Sequence, residues 1–289
     1  MALKYPLFAD KTWRLSPNPW ALSESAEGEI RCIGQACLAF HQALERLYLK
    51  SRVGDRILRN GDLKVPWVAE YLDAGKPNDL VNYSRMKRFR GDLPGIIRPD
   101  ILVTESGFSM TELDSVPGGF GLTARLMDLY SAIGESVVGS ENGGIPDAFY
   151  KMAKSIAGEK SCVLAVIVSD EADDYWNEMS SLAHHLNKRN FSVFALRPQE
   201  VIFKEEGLFF KNEDGEMRID VLYRFFELFD LKNIPKAELM MYSLKKGRVK
   251  VTPPYKPYLE EKLAFGLFRH PALISLWEKE LGLETFAAL

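Results

Sequence analysis

The run Val163-Leu-Ala-Val-Ile-Val168 constrains the fold more than any other part of this chain. Unbroken apolar character suits a strand covered on both faces, because a strand with one wet face would alternate. A helical pattern follows from Asp173 to Asn190, and then a second strand pattern, Phe191-Ser-Val-Phe-Ala-Leu196. Strand, helix and strand in this order form a βαβ unit, which predicts a parallel sheet and an α/β fold. Beyond it the sequence predicts a hairpin of Leu208–Lys211 and Met217–Phe226 turning at Asn212-Glu-Asp-Gly215. A helix over Pro235–Lys246, a strand over Arg248–Thr252 and a helical stretch from Leu259 to Leu281 complete the pattern. A dinucleotide site would need a Gly-rich turn directly after the first strand. Ser169-Asp170-Glu171-Ala172 stands there instead, and its acids would repel a pyrophosphate.

The N-terminal half reads differently. Ile30, Ile33, Cys37, Phe40, Leu44 and Leu47 recur at intervals of three and four, which predicts an amphipathic helix over Ser23–Ser51. One or two shorter helices are expected between Val65 and Arg90, where Arg85-Met-Lys-Arg-Phe-Arg90 is locally basic; a solvated face is favoured over a phosphate contact. Asp100 to Asp114 then forms two β-type runs around Glu105-Ser106-Gly107, the pattern of a hairpin. Pro117-Gly-Gly-Phe-Gly121 leads into a helix over Leu122–Ile133. The loop from Gly139 to Gly144 marks the expected boundary between a helical and β-hairpin region, 1–142, and a βαβ domain, 143–289.

A length of 289 residues suits about two domains. Apolar residues make up 46% and charged residues 27%, an ordinary globular composition. With 37 Lys and Arg against 40 Asp and Glu, there is no basic surplus to suggest nucleic acid or an anionic membrane as a partner. No apolar run reaches the roughly 18–20 residues of a membrane span, so a soluble protein is expected. Lys4, Pro6, Asp10 and Lys11 interrupt the N-terminus, which therefore lacks the form of a secretory signal. Cys32, Cys37 and Cys162 are odd in number and have no metal-type spacing, which fits a reduced cytoplasmic compartment, with Cys32 and Cys37 as small core residues. Four scattered histidines make no zinc pattern, since the neighbours His184 and His185 point to different helix faces.

The chemistry-bearing segment is Arg98-Pro-Asp100 followed by Glu112-Leu-Asp114 and Pro117-Gly118-Gly119. Side chains alternate along a strand, so Arg98 and Asp100 share one face, and Glu112 and Asp114 share one face of the partner. A turn near Ser106 places Asp100 opposite Glu112 and Arg98 opposite Asp114. Three carboxylates and one guanidinium then converge. A divalent cation would relieve the repulsion, and Mg²⁺ fits best because it takes hard oxygen ligands and prefers phosphate oxygens elsewhere. With even weight, Arg98 simply neutralises Asp100 and Asp114 in a surface ion-pair network.

Arg-x-Asp, a hairpin, an acidic pair and Pro-Gly resemble the metal-binding end of the ATP-grasp ligases, here as Arg98-Pro-Asp100, Glu112-Leu-Asp114 and Pro117-Gly118. The resemblance implies Asp100, Glu112 and Asp114 as Mg²⁺ ligands, with Asp114 where the family usually has Asn, and Arg98 as the group that stabilises the transferring phosphate. The motif precedes the βαβ segment, which resembles a pre-ATP-grasp domain, and this order is that of a circular permutation. It is similar to a bacterial group like glutathionylspermidine synthase. Further likeness lies in Pro19-Trp20, in Ile219-Asp-Val-Leu-Tyr-Arg-Phe-Phe226 and in Val251-Thr-Pro-Pro-Tyr-Lys256 leading to Glu261-Lys262-Leu263. In that group the nucleotide-grasping subdomains follow the segment that ends near Leu289 here. The resemblance implies an ATP- and Mg²⁺-dependent carboxylate–amine ligase working through an acyl phosphate, or a fragment of one, with small carboxylate and amine substrates. It leaves room for a missing C-terminal subdomain or a homo-oligomer. The alternative is a non-catalytic substrate-binding or regulatory protein derived from the same fold.

Weaker candidates complete the reading. Gly118 and Gly119, before a helix, could cradle a phosphate with backbone N–H groups, and a plain strand-to-helix turn is at least as good an account. Arg224 and Glu227 near a strand's carboxyl edge could meet a substrate, although an internal ion pair is favoured. Lys256 and Lys262 read as solvated lysines, and Tyr223, Phe225, Phe226 and Phe229 as core.

Overall fold

The computed structural model describes residues 7–8, 12, 14–53, 64–105, 107–158 and 162–289. Lys4, Pro6, Asp10 and Lys11, used above against a secretory signal, and Ser106 at the hairpin turn lie outside the described residues. The chain forms two compact units that interleave along the sequence: unit one is 1–21 and 116–253, and unit two is 22–115 and 254–289. The Gly139–Gly144 loop lies inside unit one.

Unit two is built on α1 (Glu24–Arg52), whose N-cap Ser23 accepts a hydrogen bond from the Ala26 N–H. Glu24 and Glu27 in the first turn and Lys50 and Arg52 in the last oppose the helix dipole. Its apolar stripe buries Ile33, Cys37, Phe40, Leu44 and Leu47, each contributing about 1.5–3 kcal/mol if a large aliphatic or aromatic side chain. Cys32, expected in the core, is exposed, because it lies on the outer face of α1 one residue before Ile33. Two short helices, α2 (Pro66–Asp73) and α3 (Asn78–Ser84), follow. The basic run is divided by its surroundings: Arg85 is half-buried against Asp73, Phe89 is buried, and Lys87, Arg88 and Arg90 are at the surface or partly so. The hairpin strands β1 (Arg98–Thr104) and β2 (Gly107–Asp114) come next.

Unit one begins with α4 (Phe120–Ala132) and α5 (Gly144–Ala157). β3 (Leu164–Val168) is buried at every position, and α6 (Trp176–Asn187) carries the chain over to β4 (Val193–Leu196). An antiparallel meander, β5 (Ile202–Lys204), β6 (Gly207–Asn212) and β7 (Gly215–Ile219), precedes β8 (Val221–Phe225). After α7 (Ala237–Lys245), β9 (Lys250–Thr252) completes a four-stranded sheet of order β4-β3-β8-β9 with every pairing parallel. The α/β expectation holds. The single strand expected over Met217–Phe226 is two strands in two sheets. Asp220 separates them, its carboxylate accepting the Val163 N–H at 2.9 Å and its N–H bonding the Val163 carbonyl at 3.0 Å, which steers the chain from the meander to β3.

The C-terminal stretch returns to unit two as α8 (Ala264–Phe268), α9 (Ile274–Leu281) and α10 (Leu283–Ala287). Phe40 meets Phe265 at 5.3 Å, Phe268 at 5.8 Å and Trp277 at 5.4 Å between ring centroids. Those rings close the unit's core. Among the described residues no helix is long and apolar enough to cross a membrane.

Candidate functional site

The hairpin sets the site, and its register follows from strand pairing. Arg98 lies opposite Asp114 and Asp100 opposite Glu112, as the alternation of side chains requires. A bulge after Asp100 shifts the remaining pairs, so that Ile101 faces Met110 and the motif residues sit on the regular side of the irregularity. Arg98, Asp100, Glu112 and Asp114 are brought together as the sequence predicts. Arg98 spans two carboxylates, with Nε 2.9 Å from Asp100 Oδ1 and Nη2 2.6 Å from Asp114 Oδ2.

A fifth member comes from far along the chain. Lys262, read above as a solvated lysine, pairs with Glu112 and stands 3.5 Å from Asp114 Oδ1. Only the step from Tyr-Lys256 to Glu261-Lys262 in the motif comparison pointed toward it, and sequence spacing cannot place a residue so distant against a strand. Three carboxylates thus meet two cations. The Lys262 ammonium donates to Glu112 and holds its carboxyl below the ordinary carboxylate range. Burial pushes the Asp114 carboxyl up, and the neighbouring Glu112 adds to this against Arg98 and Lys262. Glu112 and Asp114 lie close enough to share a hydrogen bond, and Lys262 is set against both. The cluster's carboxylates are oxygen donors of the hard type that Mg²⁺ takes. Lys262 already holds the carboxylate that such an ion would need, and among the described residues no group of three His, Cys, Asp or Glu is set to enclose a metal.

The remaining candidates belong to unit one. Gly118 is buried, and a Cβ added there would lie 2.2 Å from Cε1 of Tyr175, so the absent side chain makes room for that ring. Gly119 is the N-cap of α4 with φ +84°, a conformation that favours glycine. The helix start it creates already meets an anion: the Gly121 N–H donates to Glu178 Oε1 at 3.1 Å, and Glu178 is buried on α6. Glu178 supplies the charge that a phosphate would bring to this helix dipole. Gly118→Ala is expected to destabilise the protein by about 1–3 kcal/mol through overpacking against Tyr175, measured by chemical denaturation.

Arg224 is fully buried at the end of β8, donating to the carbonyls of Phe226 and, at 3.3 Å, Pro253. Its guanidinium lies 5.4 Å from the Phe226 ring centroid, while Glu227 is exposed. Arg224 therefore braces the carboxyl edge of the sheet. At the same edge, at the end of β3, the buried Ser169 Oγ has no hydrogen-bond partner among the described residues, and Arg197 Nη1 bonds the Ser169 carbonyl at 3.2 Å. From β3 the chain continues to β4 on one side, while β8 pairs on the other, so this edge is the switch point where parallel sheets take ligands. Of the aromatic group, Tyr223, Phe225 and Phe226 are core, whereas Phe229 is 78% exposed because it falls in the short helical turn Leu228–Asn233 beyond the sheet. Lys256 is a second departure, with its side chain only 1% exposed.

No family model and no curated protein matches the sequence. Among solved structures, the chain is similar to a glutathione synthetase-like effector from Globodera pallida in its apo form, with a TM-score of 0.53 and 12% identity. The match covers 93% of this chain and 61% of the effector, so this chain spans under two thirds of that protein's length. The likeness is one of fold, and it identifies the architecture as glutathione synthetase-like.

Proposed function

We propose that the chain is part of a carboxylate–amine ligase of the ATP-grasp type, in the permuted order that resembles glutathionylspermidine synthase. The observation that carries this reading is the convergence of Arg98, Asp100, Glu112, Asp114 and Lys262 on one hairpin, within a glutathione synthetase-like fold. Asp100, Glu112 and Asp114 would hold Mg²⁺, which when bound neutralises nucleotide phosphate charge. Lys262 would release Glu112 to the ion and turn its ammonium toward phosphate. Arg98, fixed by Asp100 and Asp114, would bring its positive charge toward a phosphoryl or acyl oxygen as negative charge develops on it. The substrates of such a reaction would be a small carboxylate and an amine.

Calorimetric titration of ATP with and without Mg²⁺ tests the reading. Glu112→Gln should weaken Mg²⁺-dependent ATP binding at least about tenfold, the loss of one charged ligand to a hard cation. Unchanged binding in this variant would overturn the assignment. A second reading, a non-catalytic binding protein on the same fold, is favoured by one observation: Lys262 already closes Glu112 into an ion pair. ATP silence with and without Mg²⁺, in both the parent and Lys262→Ala, selects that second reading.

A further inference from the structure

A cavity of about 340 Å³ lies within unit one, among α4, the start of α5 and the end of α6, and it contains none of the hairpin residues. That volume is at the small end of ligand pockets. Met127, Asp128, Ser140, Gly144, His185 and Arg189 are among its lining residues. Its charges are unequally satisfied. Arg189, which lines the cavity, has Nη1 2.5 Å from Asp147 Oδ1 and its guanidinium 5.6 Å from the Phe191 ring centroid, and a guanidinium carries five N–H donors in all. Asp128 Oδ2 stands 3.7 Å from Arg125 Nη1 and 3.8 Å from His185 Nδ1, both beyond hydrogen-bond distance. A half-exposed carboxylate thus faces the cavity within ion-pair distance of Arg125 and beside the His185 imidazole, with no hydrogen bond from either. Met127 and Pro146 give the cavity an apolar side.

We propose that this cavity binds a small zwitterion, a protonated amine joined to a carboxylate, with the amine on Asp128 and the carboxylate on Arg189 and His185. An amine donor would supply the hydrogen bonds that Asp128 lacks, while a lone anion would be repelled by that same carboxylate. A lone cation would find Asp128 already within ion-pair distance of Arg125 and would leave Arg189 without an anion from the ligand. Only a ligand carrying both charges matches the inventory. The inference is independent of the hairpin and of any ligase activity.

Titration of the whole chain by calorimetry and by thermal shift, with glycine, serine and glutamate as probes and acetate and methylammonium as controls, tests it. A zwitterionic probe should bind in the millimolar range or tighter and raise the melting temperature, with both controls at least about tenfold weaker. Asp128→Asn, at an exposed position that the fold tolerates, should weaken binding about tenfold or more, the scale of a charged hydrogen bond. His185→Gln gives a second, milder loss if Asp128→Asn proves unstable. No binding by any amino acid, equal binding of acetate or methylammonium, or full binding in both variants would overturn the proposal. Loss of ATP binding in Glu112→Gln leaves all these outcomes unaffected.

Discussion

Lys256→Ala and Glu45→Ala are each expected to destabilise the protein by about 3–5 kcal/mol, the cost of leaving one buried charge alone. Lys256 Nζ donates to Glu45 Oε1 and to the Asp92 carbonyl, both at 2.6 Å. The Glu45 carboxylate also accepts the Gly91 N–H at 3.1 Å and the Tyr258 hydroxyl at 3.3 Å. One carboxylate on α1 therefore fastens the loop before the hairpin and the segment that brings the chain back into unit two. The double variant should cost clearly less than the two single losses combined, because it removes both charges together. Urea denaturation of the parent, both singles and the double measures this cycle. For comparison, removing the exposed Arg31–Glu27 pair of α1 should change stability by less than about 0.5 kcal/mol. Burial lowers the Lys256 ammonium below its ordinary range, and the pair with Glu45 opposes that, so the lysine is held by its partner rather than by solvent.

Acid should unfold the protein through His41. This residue is 3% exposed on α1, its Nδ1 has no hydrogen-bond partner among the described residues, and burial lowers its pKa to about 4. The unfolded imidazole titrates near 6.5. Between these values the unfolded chain binds a proton that the folded chain excludes, so stability is complete above about pH 6.5 and falls as the pH drops toward 4. The loss amounts to about 3 kcal/mol. His41→Leu should remove that part of the slope, and parallel denaturation curves at pH 7 and pH 4.5 for parent and variant measure it. An unchanged slope in the variant would assign the acid sensitivity to carboxylates instead.

What the sequence made legible was local or periodic. The hairpin register could be read because alternation fixes which residues share a face, and Arg98 met Asp114 as that rule requires. The bulge after Asp100 could not, since the extra residue, Thr111, is an ordinary strand residue and Pro99 on the partner strand suits an edge position as well as a bulge. β3 and β4 were legible from their unbroken apolar runs, whereas β7 and β8 merged into one expected strand because Asp220 is the sole residue between them and carries no turn signature. The long-range pairs were invisible. Glu178 reaches Gly121 from another helix, Lys262 reaches Glu112 across 150 residues, and Lys256 finds Glu45 across 211. Each looks like an ordinary charged surface residue until tertiary structure supplies its partner, and for Glu178 and Lys256 burial then reverses its meaning.

The interleaving of the two units has a consequence for biosynthesis. Residues 22–115 leave the ribosome early with Phe40, Leu44 and the other faces of α1 uncovered, while Phe268 and Trp277 that close this core arrive only after all of 116–253 has been made. The inserted unit holds its own parallel sheet and can fold in that interval. The flanking unit depends on joining chain ends of large sequence separation, a slow step set by loop closure. During translation the apolar face of α1 therefore stays uncovered until α8 and α9 emerge.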